Sequence, residues 1–161
     1  MDLFVSTSRK PSQHTRTLAR QLAHALRATY DNRGKRSLSE VAAIAEQKGL
    51  TRLMIVYEKH GNPHSLNFLA DGEWLNPVVL IGRVELRERG RVKLPRDVSF
   101  KAKDEDGERL AKLFGFEKAE TSDAVTCMLS RKSIEFEYDG VKVGPVVEIR
   151  NLIDEEASGT E

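Results

Sequence analysis

With 161 residues, 39% of them hydrophobic and 32% charged, the chain is sized for one ordinary domain, or two small halves sharing a core, and reads as a charge-rich globular protein. No apolar run approaches the ~20 residues a membrane-spanning helix needs, the first residues lack a secretory pattern, and the single Cys127 excludes an internal disulfide framework or a cysteine-clustered zinc site. The net charge of +1 is polarised: residues 1–60 carry 11 Lys+Arg against 5 Asp+Glu, whereas residues 101–161 carry 9 against 15. A reducing, intracellular compartment is the expectation. The charge split predicts a nucleic-acid face in the first portion and a face for a basic protein partner in the last.

Leu3-Phe4-Val5-Ser6 reads as a first strand. The junction Ser6-Thr7-Ser8-Arg9-Lys10-Pro11-Ser12 follows, with Ser12 as N-cap of a helix over Gln13 to Ala28. Leu18, Leu22, Ala25 and Leu26 fall on one side of that helix, and Arg16, Arg20 and Arg27 cluster on the other. Asn32-Arg33-Gly34-Lys35-Arg36 then repeats the basic chemistry ahead of a second helix, whose Ser37 and Glu40 form a capping box and which stops at Gly49. Side-by-side packing of these two helices would gather both N-termini at one end of a sheet.

Arg52 to Glu58 is a strongly apolar strand, His60-Gly61-Asn62-Pro63-His64 a turn, and Ser65 to Ala70 the returning strand. After an Asp71 to Trp74 turn, Pro77 to Arg87 reads as a long strand, Gly90 to Asp97 as a basic loop and Val98 to Phe100 as a short strand. A helix opens at Asp104-Glu105-Asp106 and closes near Gly115; acids in a first helical turn complement the dipole, which accounts for them without a metal. Ala124 to Ser130, Ile134 to Tyr138 and Val141 to Ile149 complete a meander with Asp139-Gly140 as a hairpin turn, and Asp154 to Glu161 is an acidic tail expected to be disordered. Leu18-Ala19-Arg20-Gln21-Leu22 echoes Leu110-Ala111-Lys112-Leu113-Phe114, and with the repeated element order this suggests a duplicated half-domain.

Catalytic patterns are absent. Gly34-Lys35-Arg36-Ser37 lacks the upstream Gly of a phosphate-binding loop, and no Gly-rich dinucleotide fingerprint follows the first strand. Cys127 lies in an apolar strand, where a buried inert thiol is favoured over a nucleophile. His60 and His64 flank a turn without further ligands nearby. No enzyme, cofactor or metal is expected. The cations favour RNA, with Ser8, Arg9, Lys10, Ser12, Arg16, Arg20, Arg33, Lys35 and Arg36 as contact residues. Aromatic residues make up 6% of the chain and are not interleaved with these cations, so recognition of backbone and shape is predicted rather than base stacking.

Val5 to Ser12, Thr15-Arg16, Asn32-Arg33-Gly34-Lys35 with Ser37-Leu38, Gly61-Asn62-Pro63 with Leu66 and Phe68, and more weakly Gly144-Pro145 and Ile149, resemble the Brix domain over about residues 1–153, in the short archaeal form related to the Imp-four type. The resemblance implies an α/β fold with an α+β mixed sheet, in two similar halves, about 1–72 and 73–153. Each half would be similar to the anticodon-binding domain of class IIa aminoacyl-tRNA synthetases. It implies a non-enzymatic ribosome biogenesis factor that binds precursor ribosomal RNA and assists its folding, processing or assembly, with no membrane role. In an archaeon this work is cytoplasmic; in a eukaryotic relative it would be nucleolar. A dedicated protein partner would meet the acidic second half. Two alternatives share the residues: a tRNA-binding module on the same fold, and a protein-interaction scaffold. A small phosphotransfer enzyme ranks below both.

Overall fold

A computed structural model describes residues 1–87, 93–117, 121 and 123–155. Its elements in chain order are β1 (Leu3–Thr7), α1 (Gln13–Ala25), β2 (Thr29–Tyr30), α2 (Leu38–Gln47), β3 (Arg52–Lys59), β4 (Asn62–Ala70), β5 (Glu73–Trp74), β6 (Val78–Glu85), β7 (Asp97–Ala102), α3 (Glu105–Phe114), β8 (Ala124–Leu129), β9 (Ser133–Tyr138), β10 (Val141–Lys142) and β11 (Val146–Ile153). The strands form one mixed, mostly antiparallel sheet in the order β2-β1-β3-β4-β6-β11-β9-β8-β7, with β5 on β4 and β10 on β9.

Alternation along β1 sets the layers. Leu3 and Val5 pack with α1, and Phe4 packs with α2, so the two helices cover opposite faces. Met54 and Val56 of β3 follow the α1 face, Leu53 and Ile55 the α2 face. This corrects the side-by-side expectation: a strand buried on both faces needs cover on both, and the two crossovers supply it. β1 pairs in parallel with β2 and with β3, so both helices still begin at the carboxyl end of the parallel strands.

Helix α1 stops at Ala25 rather than Ala28, because Leu26 caps it and Arg27 turns left-handed at φ 53. The two residues of β2 carry no periodic signal and went unread. The 60–64 turn contracts to His60-Gly61, with φ 53 and 79, and Pro63 lies inside β4. The Pro77–Arg87 strand is shorter, at Val78–Glu85, and the Val98–Phe100 strand longer, at Asp97–Ala102. Val141–Ile149 divides in two: β10 folds back on β9, and β11 pairs antiparallel with β9, keeping the β8-β9-β11 meander, while its other edge pairs with β6. Part of the basic 90–97 loop and the tail from 156 lie outside the described residues. Asp154 and Glu155 at the head of that tail are tethered, the first to Arg109 and the second by reciprocal hydrogen bonds to Asn76 of 2.8 and 2.9 Å.

Outward from the central β6–β11 pair the sheet reads the same in both directions. β4-β3-β1 on one side answers β9-β8-β7 on the other, each ending in a parallel pair bridged by a helix. Asp71-Gly72 and Asp139-Gly140 form matching turns, and Pro-Val-Val follows at 77–79 and again at 145–147. Only the first side carries the additional β2 and α2.

Helices α1 and α3 share one core with the sheet. The Phe68 and Phe114 rings meet edge-on at 5.0 Å, and the Arg52 Nη1 donates to Leu113 O at the end of α3 at 2.9 Å. Gly144 lets Ala25 and the Phe136 ring close in, to 2.8 and 2.7 Å from where its Cβ would stand. Gly107 is tighter, since an added Cβ would meet Leu129 O at 2.3 Å. An exposed helical Gly→Ala change gains about 1 kcal/mol. Here Gly107→Ala is expected to lose about 1–3 kcal/mol by overpacking against backbone, read from urea denaturation; a stabilised variant would refute the close approach.

Candidate nucleic-acid interface

The connections leaving β1 and β2 depart to opposite faces, which makes the carboxyl ends of these strands the crevice position at which open α/β sheets take ligands. The 31–37 loop folds across it. Asp31 donates its N–H to Val5 O at 3.2 Å, and the Ser6 hydroxyl donates to Asp31 O at 2.9 Å. Gly34, at φ +57, provides the left-handed step that brings the loop back.

Arg33 fills the crevice. It is 7% exposed, donating from Nη1 to Thr7 O at 3.1 Å and from Nε to Arg36 O at 2.8 Å. It also engages the Tyr57 hydroxyl, whose titration burial pushes up and Arg33 partly pulls back. No carboxylate lies within 4 Å of its guanidinium among the described residues. Arg33 is therefore an internal strut carrying an uncompensated charge.

The other sequence-derived cations surround it at the surface. Arg9, Lys10 and Lys35 are exposed, and Arg36 is half-buried. Arg9 Nε lies 3.5 Å from Arg36 O, which joins the two basic junctions directly. Arg36 pairs with Asp31 at 3.5 Å and donates to Asn32 O at 2.9 Å. Lys10 stands at φ 48, a region a non-glycine residue occupies at a cost of about 1–3 kcal/mol. The Ser8 hydroxyl is shielded from solvent and has no hydrogen-bond partner among the described residues. Arg16 and Arg20 continue the exposed surface along α1.

Both helix starts are closed by the protein's own carboxylates. At α1, Ser12 Oγ accepts from Thr15 N at 3.2 Å and donates to Gly61 O at 2.8 Å. Glu58 accepts from Ser12 N at 2.9 Å and from the Thr15 hydroxyl at 2.7 Å. At α2 the Ser37–Glu40 capping box forms as read from the sequence, at 3.0 and 3.2 Å. Any anion at this end is thus met by side-chain cations rather than by helix dipoles. Ser12 is spent on capping. The corresponding start of α3 is closed too, by Asp104, which accepts from Gly107 N at 2.7 Å and from Arg131 N at 3.0 Å.

Glu58 and Tyr30 carry no local sequence signal for this role, and Asn32 reads only as part of the basic junction. Glu58 sits far from Ser12 in the chain, and only the β3–β4 hairpin brings it to the helix start. Tyr30 and Asn32 lie beside the α1 stripe, with the Arg20 guanidinium carbon 5.6 Å from the Tyr30 ring centre. The Tyr30 hydroxyl donates to Asn32 Oδ1 at 3.0 Å, and burial raises its titration against the pull of Arg20. Cys127 is fully buried, and burial pushes its thiol well above the ordinary range.

No family model matches the chain. Over 67 residues it is 42% identical to the probable Brix domain-containing ribosomal biogenesis protein of Methanothermobacter thermautotrophicus, covering 42% of this chain and 41% of that protein. Over 69 residues it is 45% identical to the protein of the same description from Archaeoglobus fulgidus, covering 43% and 42%. The crystal structure of an archaeal Imp4-like protein superposes with a TM-score of 0.73 at 28% identity, over 92% of this chain and 97% of that one. The chain is thus similar, in part of its sequence and in its fold, to archaeal proteins described as Brix domain-containing or Imp4-like. A probable ribosomal biogenesis protein from Aeropyrum pernix shares the fold, with a TM-score of 0.76 over 94% of this chain and 98% of that one, at 21% identity. The stretches aligned with the curated Brix relatives span about two fifths of those proteins' own length.

Two outcomes test the division of labour among these residues. Arg33→Met is expected to cost about 1–3 kcal/mol in urea denaturation, because charged hydrogen bonds inside the crevice are lost. Arg9→Gln and Lys35→Gln should each stay within about 0.5 kcal/mol. Burial raises the Glu58 carboxyl, but the Thr15 and Ser12 donors outweigh it and hold it below the ordinary value of 4.5. Its contribution is then present above that value and lost as pH falls through the lower folded one. The stability gap between wild type and Glu58→Gln should be constant near neutrality and shrink below about pH 4.5; a gap indifferent to pH would contradict the assigned cap.

Proposed function

We propose that this protein is a ribosome biogenesis factor that binds ribosomal RNA or its precursor, without catalysis, through the basic end of the sheet. The observation that carries the reading is the convergence of the two basic junctions at one crevice, with Arg9 against the Arg36 carbonyl and Arg33 buried between them. Arg9, Lys10, Arg16, Arg20 and Lys35 have no carboxylate within 4 Å among the described residues. A surface that leaves this many cations uncompensated is suited to phosphates. The relatives' names supply the biological setting, and their archaeal origin supports a cytoplasmic role.

In this reading the chain is one Brix domain over about 1–153, built from two halves that arose by duplication. The mirror-like strand order and the repeated Asp-Gly and Pro-Val-Val steps support that origin. Each half, a helix on a small sheet, is of the kind found in anticodon-binding domains. The RNA face belongs to the first half, and a protein partner is assigned to the acidic second half.

Replacing Arg9, Lys10, Lys35 and Arg36 together by Gln should weaken binding to ribosomal RNA and shallow the slope of log affinity against log salt by about 3, at roughly 0.7–0.9 for each lost phosphate contact. Unchanged affinity in a folded quadruple variant would refute the surface. Preference for mature tRNA, or cellular complexes that survive RNase intact, would turn the assignment to the tRNA module or the protein scaffold.

A further inference from the structure

Within the RNA-binding reading, on which this step rests, the tertiary structure supplies something that the linear order of residues hides: an aromatic ring among the cations. Tyr30 lies on β2, which ends the sheet, so the outward backbone groups of this strand have no strand partner. Tyr30 is partly buried and packs against the main core. The Arg20 guanidinium stands over the ring, 5.6 Å from its centre. Arg16, one helical turn earlier on the same exposed stripe, acts electrostatically on the same hydroxyl. Asn32, exposed beside them, holds the Tyr30 hydroxyl through its Oδ1 at 3.0 Å, and its amide nitrogen has no hydrogen-bond partner among the described residues.

We propose that Arg20, backed by Tyr30 and flanked by Asn32, is a stacking subsite for one unpaired base of the bound RNA. A guanidinium held over an aromatic ring cannot fold away into solvent as freely as a lone surface Arg, and its outer face is a flat, weakly hydrated plane. Unpaired bases stack on such planes as they do on aromatic rings. Arg16 is placed to meet the adjoining phosphate. The free Asn32 amide and the open edge of β2 present hydrogen-bond groups to the base rim. The surface then holds an RNA that passes from the crevice, where only phosphates are engaged, to a strand edge where one base is held. It selects single-stranded segments, loops or bulges over continuous duplex, because a stacked and paired base cannot reach the plane.

The test compares short single-stranded RNA with an oligomer of the same length and phosphate count that carries no bases, titrated at several salt concentrations. Wild type is expected to prefer the RNA by about 5- to 150-fold, the range of one base-stacking contact. Arg20→Lys keeps the charge but loses the plane, so it should lose most of that preference with an unchanged salt slope. Tyr30→Leu, which removes the backing ring, should do the same while the base-free oligomer binds as to wild type. If wild type binds both oligomers equally, or Arg20→Lys retains the full preference, the stacking subsite is overturned and the phosphate surface stands. If wild type binds neither RNA nor the base-free oligomer at low salt, the wider RNA reading falls and the subsite with it.

Discussion

The basic end of this protein depends on β1 being buried on both faces. Leu3 and Val5 commit one side of the strand to α1, and Phe4 commits the other to α2. A central strand with parallel neighbours on both sides can be covered in this way only if successive crossovers take opposite faces. The crevice at its carboxyl end follows from that requirement. So does the meeting of two loops that start more than twenty residues apart, since both must leave the sheet at the same edge.

The cations at that edge divide into two kinds. Arg33 turns inward and closes the crevice with hydrogen bonds to main-chain carbonyls, which bear partial charges and leave its own charge uncompensated. Around it Arg9, Lys10 and Lys35 stay in water. Burying a charge without a counter-ion is expensive, and the cost falls if an anion comes within reach. The helix N-termini do not provide the attraction, since Glu58 and Glu40 already occupy the groups a phosphate would seek. In the proposed RNA-binding reading, attraction therefore rests on the spacing of side chains, which a long flexible ligand matches better than a small one.

The two sides of the sheet use one plan with different termini. At the β7–α3 junction Asp104 caps the helix and binds the Arg131 N–H, leaving an acid where the first side has a basic loop. The first side alone gains β2 and α2, and with them the second basic loop and the Tyr30 edge. The proposed RNA surface lies on the elaborated side, while the other side completes the shared core through Phe114, Phe136 and Gly144.

Local chemistry was enough to place α1, α2 and α3, because Ser12, the Ser37–Glu40 pair and Asp104 cap their own helices and act over three residues. The Asp139-Gly140 turn was legible for the same reason, and the basic motifs carried the likeness to Brix proteins. The Asp-Gly and Pro-Val-Val repeats were also present in the sequence, where a search for fixed offsets would have found them. What the sequence did not hold was anything that depends on distant partners. Which face each helix covers, the crossing of β11 to β6, the inward turn of Arg33, the Glu58 cap and the Arg20–Tyr30 pair all arise from strand pairing across many residues. Residue type sets the charge of a side chain, but only the packed sheet decides whether that charge becomes a strut, a cap or a surface open to a ligand.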